Sequence, residues 1–507
     1  MLLLSSRPLA HEQQNANVAS DCTPLANLRI EDTNLLSATV VPAKDGLPEY
    51  CQVLGYVRPA INFEVRLPTS QWNGKFYMGG CGGYCGRIQR TMIPGLRRRY
   101  AVSTMDGGHW GSGAPDGRWA YHNRVAEVDY GYRAVTETAR VSKALIQAFY
   151  QTKPKHSYFQ GCSNGGRQAL MEAWRYPEDF DGIISGAPSL DMTGLLTFFT
   201  WVVQANTGPD GKDILSRTKV KLIGQAVVKA CDAKDGLKDG IIDDPRACDF
   251  KPSSLRCSKD NGPDCLTEAE VKVLEKWYGG VRNSRGELLY PGGIPYGSEP
   301  YWWVWLTGKD ESEEPDRSYG RGGFVPQFAA NFFPYMAFPD DPIGGFHPMQ
   351  FDFDKDPARL KTMGEIYNAS NPDLSKFKAR GGKLLMWHGW QDAIVTPHRT
   401  PQYYSEVEQR MGGRAATQEF LRLFMVPGAD HCAEMPGPGI QASGFDPLTA
   451  LEKWVEEGVA PTRLLSSKTD QNGRVLWTRP LCPYPQVAKY RGSGNPNDAA
   501  SFNCLEP

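Results

Sequence analysis

No stretch of this 507-residue chain is apolar over anything near the ~18 residues needed to cross a bilayer, and the opening Met1-Leu2-Leu3-Leu4 is too short for a complete signal peptide. The chain therefore reads as soluble, with any export signal absent or trimmed. No Lys/Arg block exceeds the triplet Arg97-Arg98-Arg99, and 56 basic against 57 acidic residues leave a formal charge of −1, so nucleic acid is not an expected partner. No C-x-x-C pair occurs. The lone C-x3-C, Cys81 and Cys85, has no second Cys or His pair at finger spacing, which argues against structural zinc. Internal repeats are also lacking.

What is present is a large, loop-rich globular composition, 40% hydrophobic and 22% charged with 53 Gly and 38 Pro. The length exceeds one ordinary core, so a main domain with a large insertion is expected. Twelve cysteines, an even number, point to disulfides made in an oxidising compartment, secreted or periplasmic.

From Cys51 to about Leu190 short β-rich runs alternate with helical patterns, as in a mostly parallel sheet with crossover helices. Strands are predicted at 75–78, 100–104, 157–160 and 182–185, with helices over 129–150 and from Gln168 to Trp174. The same alternation resumes with strands at 383–387 and 421–426 and a helix over 448–455. Between about Asp191 and Arg380 it gives way to Pro/Gly-rich, aromatic-rich sequence such as Tyr301-Trp302-Trp303-Val304-Trp305. This predicts a catalytic α/β domain of residues 22–190 and 381–507 and an inserted lid of residues 191–380, whose aromatics fill mainly its own core.

Gly161-Cys162-Ser163-Asn164-Gly165 matches G-x-S-x-G between a predicted strand and a helix. A nucleophile elbow needs that context: a sharp, strained turn lifts the serine hydroxyl clear of the sheet, and the helix N-terminus favours developing negative charge. A hydroxyl also needs a base oriented by a carboxylate. Asp392 follows one late strand in His388-Gly389-Trp390-Gln391-Asp392, and His431 follows the next in Pro427-Gly428-Ala429-Asp430-His431-Cys432, giving the order Ser, acid, His of an α/β-hydrolase. Asp430 is the rival acid, but a residue adjacent to His431 is poorly placed to orient its ring. His388 reads as a packed or supporting residue. Gly79-Gly80-Cys81-Gly82-Gly83 follows an early strand like an oxyanion loop, which assigns the donors to the N–H groups of Gly83 and Asn164. The segment from Cys231 to Asp243 holds four aspartates and two Asp-Gly turns, hard oxygen ligands of the kind calcium prefers, or else a solvated acidic turn.

These residues together resemble the tannase and feruloyl esterase family, which includes the mono-(2-hydroxyethyl) terephthalate hydrolases, from Cys22 to Cys504. The most specific element is Cys162-Ser163, Asp392 and His431-Cys432, in which the family joins the flanking cysteines by a disulfide. The resemblance implies an α/β-hydrolase fold and a serine carboxylesterase acting on small aromatic esters. It also implies structural Ca2+ held by Asp232, Asp235, Asp239 and the carbonyls of Leu237 and Ile241. The further bridges it implies are Cys22 to Cys51, Cys231 to Cys248, Cys257 to Cys265 and Cys482 to Cys504, leaving Cys81 and Cys85 to each other. A lid arginine is expected to hold the carboxylate of terephthalate monoesters. Here the comparable stretch, Tyr319-Gly320-Arg321-Gly322-Gly323-Phe324, carries it one residue out of step, so a feruloyl or other hydroxycinnamoyl ester is the first expectation and a galloyl or terephthaloyl ester the second. Arg321, Phe324 and Trp305 are the candidate substrate contacts. No organic cofactor is required. A non-catalytic hydrolase-fold binding protein and a serine carboxypeptidase are the rival readings, and the residues leave the oligomeric state open.

Overall fold

The computed structural model describes residues 21–215, 217–259, 262–308, 323–342 and 345–507. Its centre is one nine-stranded sheet: β1 (Thr33–Val41), β2 (Tyr50–Val57), β3 (Ile61–Pro68), β4 (Lys75–Gly79), β5 (Ala101–Met105), β6 (His156–Cys162), β7 (Gly182–Gly186), β8 (Lys383–Gly389) and β9 (Leu421–Val426). The spatial order is β1-β2-β3-β5-β4-β6-β7-β8-β9. The strands from β5 to β9 are parallel, whereas β1, β2 and β3 pair antiparallel with one another and β3 pairs antiparallel with β5. This is the α/β-hydrolase architecture.

Parallel strands covered on both faces should read as unbroken apolar runs. Phe159 in β6, Ile183-Ile184 in β7, Leu384-Leu385-Met386 in β8 and Leu423-Phe424 in β9 do so and are fully buried. Helices Ala134–Tyr150, Asn164–Arg175 and Pro447–Glu457 cover the sheet. Two sequence expectations shift. The helix expected from residue 129 already starts at Arg124, passes through a π-turn over Asp129–Arg133 and continues as α-helix from Ala134. The helix expected from Gln168 starts at Asn164, because the elbow turn itself supplies its first turn. Strands β1–β3 and the small C-terminal sheets of Leu464–Thr469 with Val475–Leu481 and Val487–Tyr490 with Phe502–Leu505 were not among the predicted strands: β1 and the C-terminal strands are partly exposed, and the mostly buried β2 and β3 are interrupted by Gln52, Glu64 and Arg66.

Residues 187–382 lie in sequence between two neighbouring parallel strands, β7 and β8. The described residues among them contribute a mainly helical layer with its own aromatic interior, where Trp277, Trp302, Phe332 and Phe333 are at most 1% exposed. Glu172, on helix Asn164–Arg175, is fully buried with neither carboxylate oxygen hydrogen-bonded, and burial followed by the nearby Asp179 raises its pKa well above the usual range.

All twelve cysteines are paired: Cys22–Cys51, Cys81–Cys85, Cys162–Cys432, Cys231–Cys248, Cys257–Cys265 and Cys482–Cys504. No free thiol remains. Among the described residues no helix is long and apolar enough to cross a membrane.

Candidate active site

The carboxyl ends of β4, β6, β8 and β9 open on one side of the sheet, the edge where α/β proteins gather their chemistry. Ser163 follows β6 directly. Its φ of 64° and ψ of −123° place a non-glycine residue in strained backbone, and its N–H donates to Gly186 O at 2.9 Å. The turn is tight because the helix runs against β7: a Cβ on Gly166 would lie 2.3 Å from Gly186 O, whereas one on Gly165, the second glycine of the motif, would meet nothing closer than 3.5 Å.

After β8 the chain turns at Gly389 and places Asp392 beneath His431, with His431 Nδ1 at 2.6 Å from Asp392 Oδ2. Asp392 is fully buried. Its Oδ1 accepts the N–H groups of Ile394 and Val395 at 3.0 and 2.9 Å, and its Oδ2 also faces His388 Nε2 at 3.2 Å. Burial alone would raise the Asp392 pKa, but the two imidazoles and their hydrogen bonds bring it below the ordinary value. Burial alone would lower that of His431, yet the Asp392 carboxylate, with Glu434 and Asp430 beyond it, leaves it above the ordinary histidine value. Asp430 makes no bond to His431. Its Oδ1 accepts from Met435 N at 3.2 Å, its Oδ2 is buried without a partner, and burial followed by the nearby Asp392 charge pushes its pKa up to about 7. His388, read from the sequence as a packed or supporting residue, contacts the Asp392 carboxylate, and its Nε2 also meets Val395 O at 2.8 Å. Its other nitrogen meets Thr400 Oγ1 at 2.7 Å.

Ser163 and His431 line one cavity of about 560 Å³. No hydrogen bond joins Ser163 Oγ to His431 Nε2 in this structure; such contacts often tighten only when substrate is bound. The glycine-rich loop after β4, where the sequence predicts oxyanion donors, lines the same cavity through Gly80, Gly82 and Gly83. Of the backbone N–H groups from Gly80 to Gly86, those of Gly80, Cys81, Gly82, Tyr84, Cys85 and Gly86 are each donated to an oxygen within the protein, and only that of Gly83 is not. Gly83 has φ +61°, and a Cβ there would lie 2.7 Å from Ala114 O. The N–H of Asn164, first in its helix, is likewise without an acceptor.

Trp305 stands edge-on to His431 with ring centroids 5.4 Å apart, and its buried indole N–H has no acceptor. Phe324 and Phe328 continue this aromatic wall. Arg321 lies outside the described residues. Arg87 and Arg90, which the sequence analysis did not single out, also line the cavity, and neither has an ion-pair partner among the described residues.

In the Asp-rich loop, Asp232 Oδ1 accepts from Gly240 N at 3.0 Å, Asp235 Oδ1 from Leu237 N at 2.9 Å and Asp239 Oδ1 from Ile241 N at 3.2 Å, while Asp239 Oδ2 pairs with Arg479 at 3.0 Å. The donors are all oxygens, as calcium requires. Among the described residues, however, no three His, Cys, Asp or Glu side chains converge as a metal cage. Burial and then repulsion among the aspartates push Asp235 to about 6 and Asp243 to about 8. The loop is distant from the triad in sequence but close in space: Gln391, next to Asp392, donates to Ile242 O at 2.8 Å and accepts from Gly428 N.

A model of the tannase and feruloyl esterase family matches residues 47–505. The chain belongs to this family. It is 32% identical to a mono(2-hydroxyethyl) terephthalate hydrolase of Piscinibacter sakaiensis, over 93% of this chain and 87% of that protein. To a probable feruloyl esterase of Arthroderma benhamiae it is also 32% identical, over 89% of this chain and 83% of that one. The crystal structure of feruloyl esterase B from Aspergillus oryzae superposes with a TM-score of 0.83 at 26% identity, covering 95% of this chain and all of the other. As a member of the tannase and feruloyl esterase family, the protein is a carboxylic ester hydrolase that cleaves esters of aromatic acids.

The Cys162–Cys432 bridge joins the residue before Ser163 to the residue after His431, with Cα atoms 5.9 Å apart across 270 positions of sequence. Serine and histidine otherwise sit on separate turns. Cys162→Ala with Cys432→Ala is expected to cut turnover of an aromatic ester by at least about tenfold, or ~1.4 kcal/mol of transition-state stabilisation, in protein whose circular dichroism is unchanged. Turnover within twofold of wild type would show that packing alone holds the triad.

Proposed function

We propose that the protein hydrolyses hydroxycinnamoyl esters, feruloyl first among them, with Ser163 as nucleophile, His431 as general base and acid, and Asp392 as the orienting carboxylate. The observation that carries the catalytic roles is the 2.6 Å contact from buried Asp392 to His431, which lines one cavity with Ser163 and Gly83, whose N–H is free; the aromatic lining of that cavity by Trp305, Phe324 and Phe328 supports an aromatic acyl group. Ser163 Oγ attacks the ester carbonyl as His431 takes its proton. The tetrahedral oxygen is held by the N–H groups of Gly83 and Asn164, and its collapse expels the alcohol, which receives the proton from His431. Water, deprotonated by His431, then attacks the acyl-enzyme and releases the acid and Ser163. No organic cofactor enters this sequence. Trp305, Phe324 and Phe328 form the aromatic wall for the acyl ring, and residues 191–380 act as the lid that carries them.

A second reading, an ester bearing a carboxylate such as a terephthalate monoester, is favoured by Arg87 and Arg90 on the cavity lining without ion-pair partners. A hydrolysis panel of methyl ferulate, methyl gallate, a terephthalate monoester and p-nitrophenyl acetate tests both. The first reading expects methyl ferulate to have the highest kcat/KM among the unactivated esters. The second expects the terephthalate monoester to lead and to lose selectively in Arg87→Ala with Arg90→Ala. Cleavage of p-nitrophenyl acetate alone defeats both.

We infer that the Asp-rich loop holds a structural calcium ion. Its support is the all-oxygen donor set and the mutual repulsion of four aspartates, which a divalent cation relieves. Asp232, Asp235 and Asp239 and the carbonyls of Leu237 and Ile241 are the proposed ligands. Because Gln391 ties this loop to the triad loops, chelation is expected to lower Tm first and kcat only as the fold loosens. Immediate loss of activity with Tm unchanged would contradict a structural ion. Six disulfides with no free thiol support a secreted or periplasmic location.

A further inference from the structure

Arg167, in the first turn of the elbow helix, is fully buried, yet no carboxylate among the described residues pairs with it. Its charge is met only by oxygen dipoles and a ring. Nε donates to Asn164 Oδ1 at 2.7 Å, Nη1 to Gly131 O at 2.8 Å and Tyr367 O at 3.0 Å, and Nη2 to Tyr130 O at 2.9 Å. The guanidinium also lies 4.7 Å from the centroid of the Tyr130 ring. Burying a cation without an anion is costly, and a fold that needed only packing here is served better by an apolar side chain of the same volume.

The partners of Arg167 lead to both free N–H groups of the oxyanion site. Asn164, which accepts from Arg167, supplies one of them. Its side-chain amide donates onward to Cys81 O at 3.0 Å and to Cys85 Sγ at 3.2 Å, the two ends of the bridged loop that presents Gly83. Tyr130, whose carbonyl accepts from Arg167, donates its hydroxyl to Gly83 O at 3.3 Å. Gln168, the next residue, holds the same loop through Cys81 N at 3.1 Å.

We propose that Arg167 is the positioning residue of the oxyanion site, holding Asn164 and Gly83 in register while its uncompensated charge favours the negative oxygen of the tetrahedral intermediate. The proposal rests on the reading of Ser163 as nucleophile and of Gly83 and Asn164 as donors. The ground-state ester is neutral at this position, so the buried charge acts mainly when the oxygen becomes an anion. That is the condition for raising kcat rather than ground-state affinity.

The test uses the full chain with Arg167→Met and Arg167→Lys. It reads kcat and KM on an aromatic ester, inhibition by phenylboronic acid, which becomes a tetrahedral anion on adding Ser163 Oγ, and inhibition by neutral cinnamamide. Arg167→Met is expected to lower kcat at least about thirtyfold with KM within about threefold, on the scale of losing part of an oxyanion site. Boronate affinity should fall in step while cinnamamide binds as before, and Arg167→Lys, which keeps the charge, should fall between wild type and Met. Unchanged kcat and boronate affinity, equal weakening of both inhibitors, or a folded Arg167→Lys no better than Arg167→Met overturns the proposal. Should Arg167→Met not fold, Asn164→Ala decides, since it keeps the backbone N–H and cuts the link to Arg167. Selective loss of boronate affinity supports the proposal, and unchanged boronate affinity overturns it. Retained turnover in Ser163→Ala would instead sink the nucleophile assignment, a result separable from all of these.

Discussion

Ser163→Ala is expected to lower kcat on an aromatic ester by about 10⁵- to 10⁶-fold and to abolish covalent labelling by a fluorophosphonate probe. The loss is this large because no acyl-enzyme can form once Oγ is gone. Alanine leaves the backbone bond from residue 163 to Gly186 O in place, so Tm should stay close to wild type. Undiminished labelling, or labelling mapped to another serine, would move the nucleophile elsewhere. Complete loss of labelling also excludes a non-catalytic binding protein built on this fold.

Asp392→Asn is expected to lower kcat about 10⁴-fold, the scale seen when a triad loses its carboxylate but keeps its shape. The local bonds explain why. If the new amide oxygen keeps the N–H groups of Ile394 and Val395, its NH2 must face both His431 Nδ1 and His388 Nε2. A donor then faces the position where His431 carries its proton, and the ring must take the tautomer with a proton on Nε2, unable to accept one from Ser163. The pH profile gives a second reading. Asp392 raises the His431 pKa, so the acid limb of wild-type kcat/KM should lie above the ordinary histidine value, and Asp392→Asn should move it to lower pH as the residual activity is traced. The stability effect has the opposite sense for the acid: a carboxyl with a lowered pKa in the fold stabilises above its unfolded value and loses that contribution as pH falls through the folded value. An acid limb unmoved in Asp392→Asn would place the orienting carboxylate elsewhere.

His388 reads in the sequence as a packed or supporting residue without a named partner, and the structure supplies the partner. It sits four residues before Asp392 and looks like a packed strand-end residue, which it is, fully buried against Thr400. Only the turn after β8 brings its Nε2 back onto the Asp392 carboxylate. Arg87 and Arg90 were invisible, since nothing in Gly86-Arg87-Ile88-Gln89-Arg90 marks a cavity wall until the glycine-rich loop after β4 folds beside Trp305 and Phe324. The same holds for Gln391, read as part of an acid-bearing loop but in fact a clasp between that loop, the His431 loop and the Asp-rich loop.

The central parallel strands, the elbow and the order Ser163, Asp392, His431 were legible because each is written locally: unbroken apolar runs bury both faces of a strand, and a small-residue turn between strand and helix has few other uses. The antiparallel strands β1–β3 were not, because β1 is partly exposed and the mostly buried β2 and β3 carry the polar residues Gln52, Glu64 and Arg66, which break the apolar pattern and bond to one another. The convergence itself belonged to tertiary structure. Residues 270 positions apart in Cys162 and Cys432 become neighbours only because β6 and β9 end on the same edge of one sheet. The buried charge of Arg167 is likewise a property of the fold, since a sequence shows that an arginine is present but not that, among the described residues, no carboxylate pairs with it.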